Sequence, residues 1–327
     1  MTALLHRRQL LGAAAGLAAP WACRTAHAQA ATPLRVILPV GPGSGVDLIL
    51  RAAQAALSKA LGGQPVVLEN LPGAGGITGT QAVVKAAADG STIGVVSNNH
   101  AVNPSVFKKL PYDSQADLTP ISVVGSSPFL LVVNPAKVPA RTARELQAYL
   151  KARPDVCNYG SSGNGTIIHL AGEMVVDAMG VSVKHIPYKG MGPMLADLIG
   201  GQIELGVAAV PAVQGHLKSG ALRAIGVMGQ QRVASLPELP TLAEQGFAEV
   251  DVAGWFAVIG PKGLPPAQVR RLLDAVTAAF ADAEVRAAMA RQDNHIAPST
   301  PEAAAQFFKT EQERYARLVK KADLKLD

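Results

Sequence analysis

Cysteine, aromatic residues and charge are all scarce in this sequence. Of 327 residues, two are Cys, 4% are aromatic and 17% are charged. Two cysteines in a chain of this length exclude a disulfide-framed fold. With 49% hydrophobic residues and little charge, the composition is far from that of a disordered chain and supplies a sizeable core, on length alone about two domains. Long apolar runs are missing too. Beyond residue 28 none approaches the roughly 18–20 residues that span a bilayer, so the remainder is expected to be soluble. Several signatures also fail. A dinucleotide GxGxxG would need Gly where Val46 follows Gly41 and Gly43, or where Thr78 follows Gly73 and Gly75. No Gly-Lys-Ser/Thr is present, which excludes a phosphate loop. The histidines show no HExxH and no paired Cys/His spacing, so neither a metal nor a cofactor is expected. The nucleophile elbow GxSxG breaks at Asn164, after Gly160-Ser161-Ser162-Gly163.

What is present begins with a leader. Residues 1–28 hold no acid, open with Arg7-Arg8, run apolar from Leu10 to Ala22 and end in Ala26-His27-Ala28, with small residues at the −3 and −1 positions of a signal-peptidase site. That order is a secretory signal, and Arg7-Arg8-Gln9-Leu10-Leu11 leaves the general secretory and twin-arginine routes both open. The full chain has 30 basic and 24 acidic residues, a net charge of +6. Cleavage removes Arg7, Arg8 and Arg24 and no acid, leaving 27 against 24, or +3. Cys23 leaves as well, so Cys157 stands alone. The remaining charge lacks a nucleic-acid motif or a clustered face, and no nucleic-acid partner is expected.

The mature chain alternates short apolar runs with amphipathic stretches. Leu34 to Leu38 reads as a strand, Pro39 to Gly45 as a tight loop, and the apolar pairs at 48/49, 52/53, 56/57 and 60/61 as a helix stopped by Gly62-Gly63. The unit recurs from Pro65 to about Ala88, followed by a strand over Thr92 to Val96. Strands are expected at Ile121 to Val124 and Phe129 to Val133, and helices at Thr142 to Lys151 and Ile167 to Met179. The Ala-rich stretch from Pro266 to Met289 and the stretch from Pro301 to Lys321 are also expected to be helical. Strands alternating with helices predict an α/β fold with parallel sheets covered by helices.

Two glycine-rich loops carry the functional argument. Pro39-Val40-Gly41-Pro42-Gly43-Ser44-Gly45-Val46-Asp47 and Tyr159-Gly160-Ser161-Ser162-Gly163-Asn164-Gly165-Thr166 each leave a strand and enter a helix. Each exposes unpaired N–H groups at the positive end of a helix dipole, a natural seat for an anion. Glycine lets a ligand oxygen approach the main chain, and the hydroxyls add neutral donors. One such loop is weak testimony, since tight βα turns are glycine-rich for structural reasons; two suggest a cleft with an anion cradle on each wall. Asp47 reads equally as a helix cap or as a ligand group acting through water or an ammonium group, because a carboxylate there repels an anion.

From Pro33 onward the chain resembles the Bug family of periplasmic receptors, the substrate-binding proteins of tripartite tricarboxylate transporters. The strings that carry the resemblance are Leu38 to Asp47, Gly62 to Gly76, Ala88 to Thr92, Leu110 to Asp113, Tyr159 to Leu170, His185 to Gly190, Leu239 to Gly246 and Trp255 to Pro265. It implies a two-lobed Venus-flytrap fold, each lobe a mainly parallel sheet flanked by helices, with residues 29–122 plus 229–327 in one lobe and 123–228 in the other. It implies a monomeric, non-enzymatic periplasmic receptor that captures a small carboxylate between the lobes and delivers it to membrane subunits. Carried over by position, the ligand-binding residues are Gly41, Gly43, Ser44 and Asp47 in the first loop and Ser161, Ser162, Gly163 and Thr166 in the second. Asn98, with Asn99, and Tyr188 are further cleft-lining candidates, Tyr188 reading equally as a packed aromatic. Val40, Ser44 and Val46 depart from the family pattern, which implies a conserved cradle with a different preference for the rest of the ligand. The same cradle would serve a receptor that presents its ligand to a sensor kinase. A secreted hydrolase using Ser161 or Ser162 with His169 is the remaining alternative, weakened by the broken elbow and the want of an orienting acid.

Overall fold

A computed structural model describes residues 32–322; the leader assigned to residues 1–28 lies outside them. The first βα unit shows how the local sequence sets the pattern. Strand β1 (Leu34–Leu38) pairs in parallel with β2 (Val66–Asn70) and β3 (Thr92–Ser97). Helix α1 (Gly45–Ala60) starts at Ser44, whose hydroxyl accepts the Asp47 amide. It ends before Gly62 and Gly63, which hold φ of 70° and 88°, a conformation that glycine adopts without penalty. Helices α2 (Ile77–Val84) and α3 (Asn99–Val106) follow β2 and β3.

Strand β4 (Leu118–Val133) then runs 16 residues where two separate strands were expected. Its first part pairs antiparallel with β9 (Ala253–Pro261) and, at Gly125 and Ser126, with β10 (His295–Ile296). From Phe129 it pairs instead with β7 (Leu205–Ala209) and β8 (Arg223–Met228). Pro128 marks the change of partner. Lacking an N–H, it cannot donate to a ladder and sits where one ladder ends and the next begins. Helix α4 (Ala143–Lys151), strand β5 (Asn158–Ser161), helix α5 (Ile167–Met179), strand β6 (Lys184–Pro187) and helices α6 (Met191–Ile199) and α7 (Val210–Lys218) build the far end, where β5 pairs in parallel with β6 and β7.

The resulting 10-stranded sheet is mixed: parallel at its two ends, antiparallel in the middle, where β4 and β9 cross it. The mainly parallel pattern therefore describes the end strands, and the central strands depart from it. The expected helix over Pro266 to Met289 is two helices, α8 (Pro266–Ala281) and α9 (Ala283–Arg291). Asp282 breaks it, with ψ of 139° and a side chain that accepts the Glu284 amide, the competition with helical backbone bonding that short acidic side chains offer. Helix α10 (Pro301–Lys321) packs on α3 and β4. Among the described residues no helix is long and apolar enough to cross a membrane.

Two clusters of buried apolar side chains fill the fold. One gathers Val36, Leu38, Ile49, Ile93, Val258 and Phe280 around β1 and β3; the larger gathers Leu131, Leu146, Tyr159, Val175, Val207 and Ile225 around the far strands and extends to Trp255 and Tyr315. In the larger one α5 lies so close to β5 that a methyl at Gly172 would fall within the Tyr159 ring. Tyr159 is 1% exposed and its hydroxyl donates to Glu173, so the ring has nowhere to go. Helix propensity alone would make Gly172→Ala stabilising by about 0.5–1 kcal/mol. We expect the reverse, a loss of about 1–3 kcal/mol from overpacking, read as a lower urea midpoint at unchanged m-value.

Candidate ligand-binding site

The strand-to-helix turns of the fold open into one cavity of about 810 Å³, within the range of small-molecule sites. The starts of α1, α3, α5, α6 and α7 all contribute to its lining: Ser44, Gly45 and Val46; Asn98 and Asn99; Thr166, Ile167 and Ile168; Gly190 and Met191; and Ala209. The first amides of a helix have no carbonyl four residues behind them. In α1 the Asp47 amide is taken by Ser44 Oγ at 3.3 Å and that of Leu48 by the Ser44 carbonyl, leaving the Gly45 and Val46 amides for a ligand. In α5 the Ile167 amide donates to Asn99 Oδ1 at 2.8 Å and that of His169 to Thr166 Oγ1 at 3.3 Å, leaving Ile168.

These turns reach one another through glycines. A Cβ at Gly45 would lie 2.9 Å from Ala209 Cβ, and one at Gly41 would lie 3.8 Å from Gly190 Cα, so the starts of α6 and α7 lie against the start of α1 and its unpaired Gly45 and Val46 amides. Among the described residues the charged side chains of the lining reduce to Lys189, which is exposed at the rim, and no Asp, Glu, Arg or His lines the cavity. The rest is apolar or small, including Val40, Ile49, Phe107, Phe129, Trp255 and Phe256.

Of the residues singled out in the sequence, Gly41, Ser44, Asn98, Ser162, Gly163, Thr166 and Tyr188 line this cavity; Gly43, Asp47 and Ser161 stand behind it. Asp47 is 2% exposed, and its carboxylate accepts from the Gly43 amide at 2.9 Å and Asn70 Nδ2 at 3.0 Å and pairs with Arg51 Nε at 2.9 Å. Burial alone would push its carboxyl up; the hydrogen bonds from Arg51, Gly43 and Asn70 outweigh that and hold it below the ordinary carboxylate range. Asn98 borders the cavity with its amide committed: Nδ2 donates to the Ala253 carbonyl and to Tyr315 Oη, and Oδ1 accepts the Trp255 amide. Thr166 Oγ1 donates to the Gly163 carbonyl at 2.8 Å and lies 3.2 Å from Ser162 Oγ. Tyr188 Oη donates to Asp197, and burial with that carboxylate pushes the phenol up to about 12.

Behind the second loop lies a stacked pair of histidines, His169 and His185, with ring centroids 3.8 Å apart. Ser161 Oγ sits 2.7 Å from His185 Nε2 and accepts the Gly163 amide, while His169 Nδ1 accepts the Gly165 amide at 3.1 Å. Ser161 is fully buried and Ser162 pairs with Thr166, so neither serine meets a histidine inside the cavity. The two histidines instead hold the loop's shape. The loop Pro72 to Gly76 also lines the cavity and carries the same glycine signal as the two loops singled out in the sequence, although no ligand contact was expected there. Nor were Ser127, Phe129 and Trp255 expected at the cavity, since a strand pattern says which residues are buried but not what they face.

Burial, then the neighbouring His169, lowers His185 to about 4 from an ordinary 6.5. Between those values the unfolded chain binds a proton at position 185 that the folded protein refuses, so stability falls as pH drops from about 6.5 to about 4. Allowing for its partial exposure we expect a contribution of ~2 kcal/mol, lost in that window. Urea denaturation at pH 7, 5.5 and 4.2 should show a shallower slope for His185→Gln than for the wild type; parallel slopes would remove His185 as the cause.

Comparison with known proteins agrees with this architecture. Residues 49–324 match the model of the tripartite tricarboxylate transporter family receptor. The chain is 37% identical over 328 residues to protein BugT of Bordetella pertussis, covering 100% of this chain and 99% of that one. The structure of the periplasmic binding protein BugD superimposes with a TM-score of 0.86 at 31% identity, over 90% of this chain and 99% of that one. A Rhodopseudomonas palustris protein solved with adipate gives 0.86 at 30% identity, over 90% and 98%. The fold is thus that of the two-lobed periplasmic binding proteins, whose members here are receptors and not enzymes. The chain belongs to the tripartite tricarboxylate transporter receptor family and is a solute-binding receptor of the Bug type.

Proposed function

We propose that this receptor captures a small carboxylate in the cavity and passes it, as a monomer, to the membrane subunits of a tripartite transporter. The observation that carries the reading is the cluster of helix starts whose amides have no intrahelical partner, set in a lining with no acidic side chain. A buried carboxylate needs donors to replace its water, and main-chain amides at the positive ends of helix dipoles supply them. In this reading Gly41, Ser44, Ser162, Gly163 and Thr166 form the cradle, with Gly43, Asp47 and Ser161 holding its loops and Asn98 and Tyr188 its walls. The adipate found on a relative at 30% identity is a carboxylate of the size the cavity admits. Export by the leader at residues 1–28, through either route, places the protein in the periplasm. The lobes are residues 29–122 with 229–327 and residues 123–228, and they rotate about the crossing segments near β4 and after β8.

The test is calorimetric titration of the chain from residue 29 with carboxylates and their neutral esters. A bound acid at 100 times its Kd should also raise stability by about 2.7 kcal/mol. No response to any acid, or equal affinity for acid and ester, would overturn the reading. We expect Ser44→Ala and Thr166→Ala each to weaken binding about fivefold or more, the cost of a lost cap or donor of ~1 kcal/mol. Gly45→Leu, which wedges a side chain against Ala209, should weaken binding more than tenfold; unaltered affinity would remove this contact from the binding site.

A further inference from the structure

Resting on the carboxylate reading, we propose that the ligand's body is apolar: an aromatic or comparably bulky monocarboxylate bearing a hydrogen-bonding substituent, and not a di- or tricarboxylate. The donors and the rest of the cavity come from different parts of the fold. The starts of α1, α6 and α7 meet at the Gly45–Ala209 and Gly41–Gly190 contacts, beside the unpaired Gly45 and Val46 amides of α1. The opposing wall is built by the crossing of β4 and β9. Ser127 is registered against Gly254, and the Phe129 ring lies over Gly254, where an added Cβ would meet it at 2.9 Å. Phe129, Trp255 and Phe256 together with Ile49 and Phe107 make this wall a surface without charge.

A second or third carboxylate would have to leave water for this surface. At this wall its desolvation would meet one buried hydroxyl, Ser127, and the charge of Lys189 lies at the rim, on an exposed side chain. A ring or a branched chain loses nothing there and gains by burial. One polar group of the wall remains unanswered. Ser127 Oγ is buried, the residue 5% exposed, and has no hydrogen-bond partner, although it borders the cavity. A buried hydroxyl without a partner is costly, and a substituent on the ligand would satisfy it. Ser127 is therefore a specificity-determining contact for the far end of the ligand.

The experiment is titration calorimetry of the chain from residue 29 with benzoate, cyclohexanecarboxylate and the 2-, 3- and 4-hydroxybenzoates, against malate, adipate, citrate and methyl benzoate. We expect the apolar monocarboxylates to bind at least tenfold more tightly than malate, adipate or citrate, and one hydroxybenzoate to bind more tightly than benzoate. Ser127→Ala should remove that hydroxyl advantage and leave benzoate within twofold. Tighter binding of malate, adipate or citrate would overturn the apolar class while leaving the carboxylate receptor intact. Binding of methyl benzoate as tight as that of benzoate, or of none of the acids, would instead overturn the reading beneath it. An equal effect of Ser127→Ala on benzoate and hydroxybenzoate would remove Ser127 from the substituent's contact.

Discussion

The amides at the start of a helix have no carbonyl four residues behind them, and this structure brings several such starts to one place. Each start is ordinary by itself: Ser44 and Thr166 cap α1 and α5 as serine and threonine do throughout proteins. The unusual element is their proximity, which needs main chain to approach main chain across the cavity. Glycine at positions 41, 45 and 190 removes the side chains that would keep the turns apart. The remainder of the architecture serves this gathering. Parallel strands at both ends of the sheet point their carboxyl ends and following helices inward, and the antiparallel crossing of β4 and β9 joins the two ends into one surface.

A site built from dipoles is sensitive to any full charge placed near it, which explains the handling of Asp47. Its carboxylate lies next to the first loop, where an unpaired negative charge would repel an anion. Arg51, Asn70 and the Gly43 amide consume it, so it braces the loop and keeps its field within a neutral cluster. Arg51 stands one turn further along the same helix, the spacing that brings an acid and a base together on a helix face. The second loop is braced instead by Ser161 and the stacked His169 and His185. Burial keeps the His185 ring uncharged at neutral pH.

The glycine and proline spacing that made the two loops legible in the sequence is local information, and local information survived folding intact. The strand-loop-helix units around α1 and α5 lie where that spacing put them. Long-range pairing was not legible. Ser161 and His185 are 24 residues apart and meet only because β5 and β6 are neighbours. Pro128 looks like the end of a strand, and in one sense it is, since one ladder stops there; the chain nevertheless continues straight into the next. Asp282 was overlooked because alanine on both sides favours a continuous helix, and a single competing side chain settled the break. The cavity's aromatic wall was hidden for the same reason as Ser127: period-two patterns do not distinguish a face packed on core from a face packed on a ligand.

The cavity divides recognition into parts with different chemistry. Under the proposed reading, amides at helix starts would hold any carboxylate, because they would touch only the group that all such ligands share. In the same reading, selection among carboxylates falls to the wall near Phe129 and Ser127, which faces the part of the ligand that varies. The cradle is main chain and small residues, which substitutions barely alter, whereas the wall is side chain and free to change. A receptor family organised in this way can alter its ligand by replacing wall residues on β4, β9 and α1 while the loops that hold the anion, and the glycines that let them meet, stay as they are. With no buried cation in the cavity lining among the described residues, the proposed capture would be reversible: release would require only that the helix starts separate and that water return to amides unpaired within the protein.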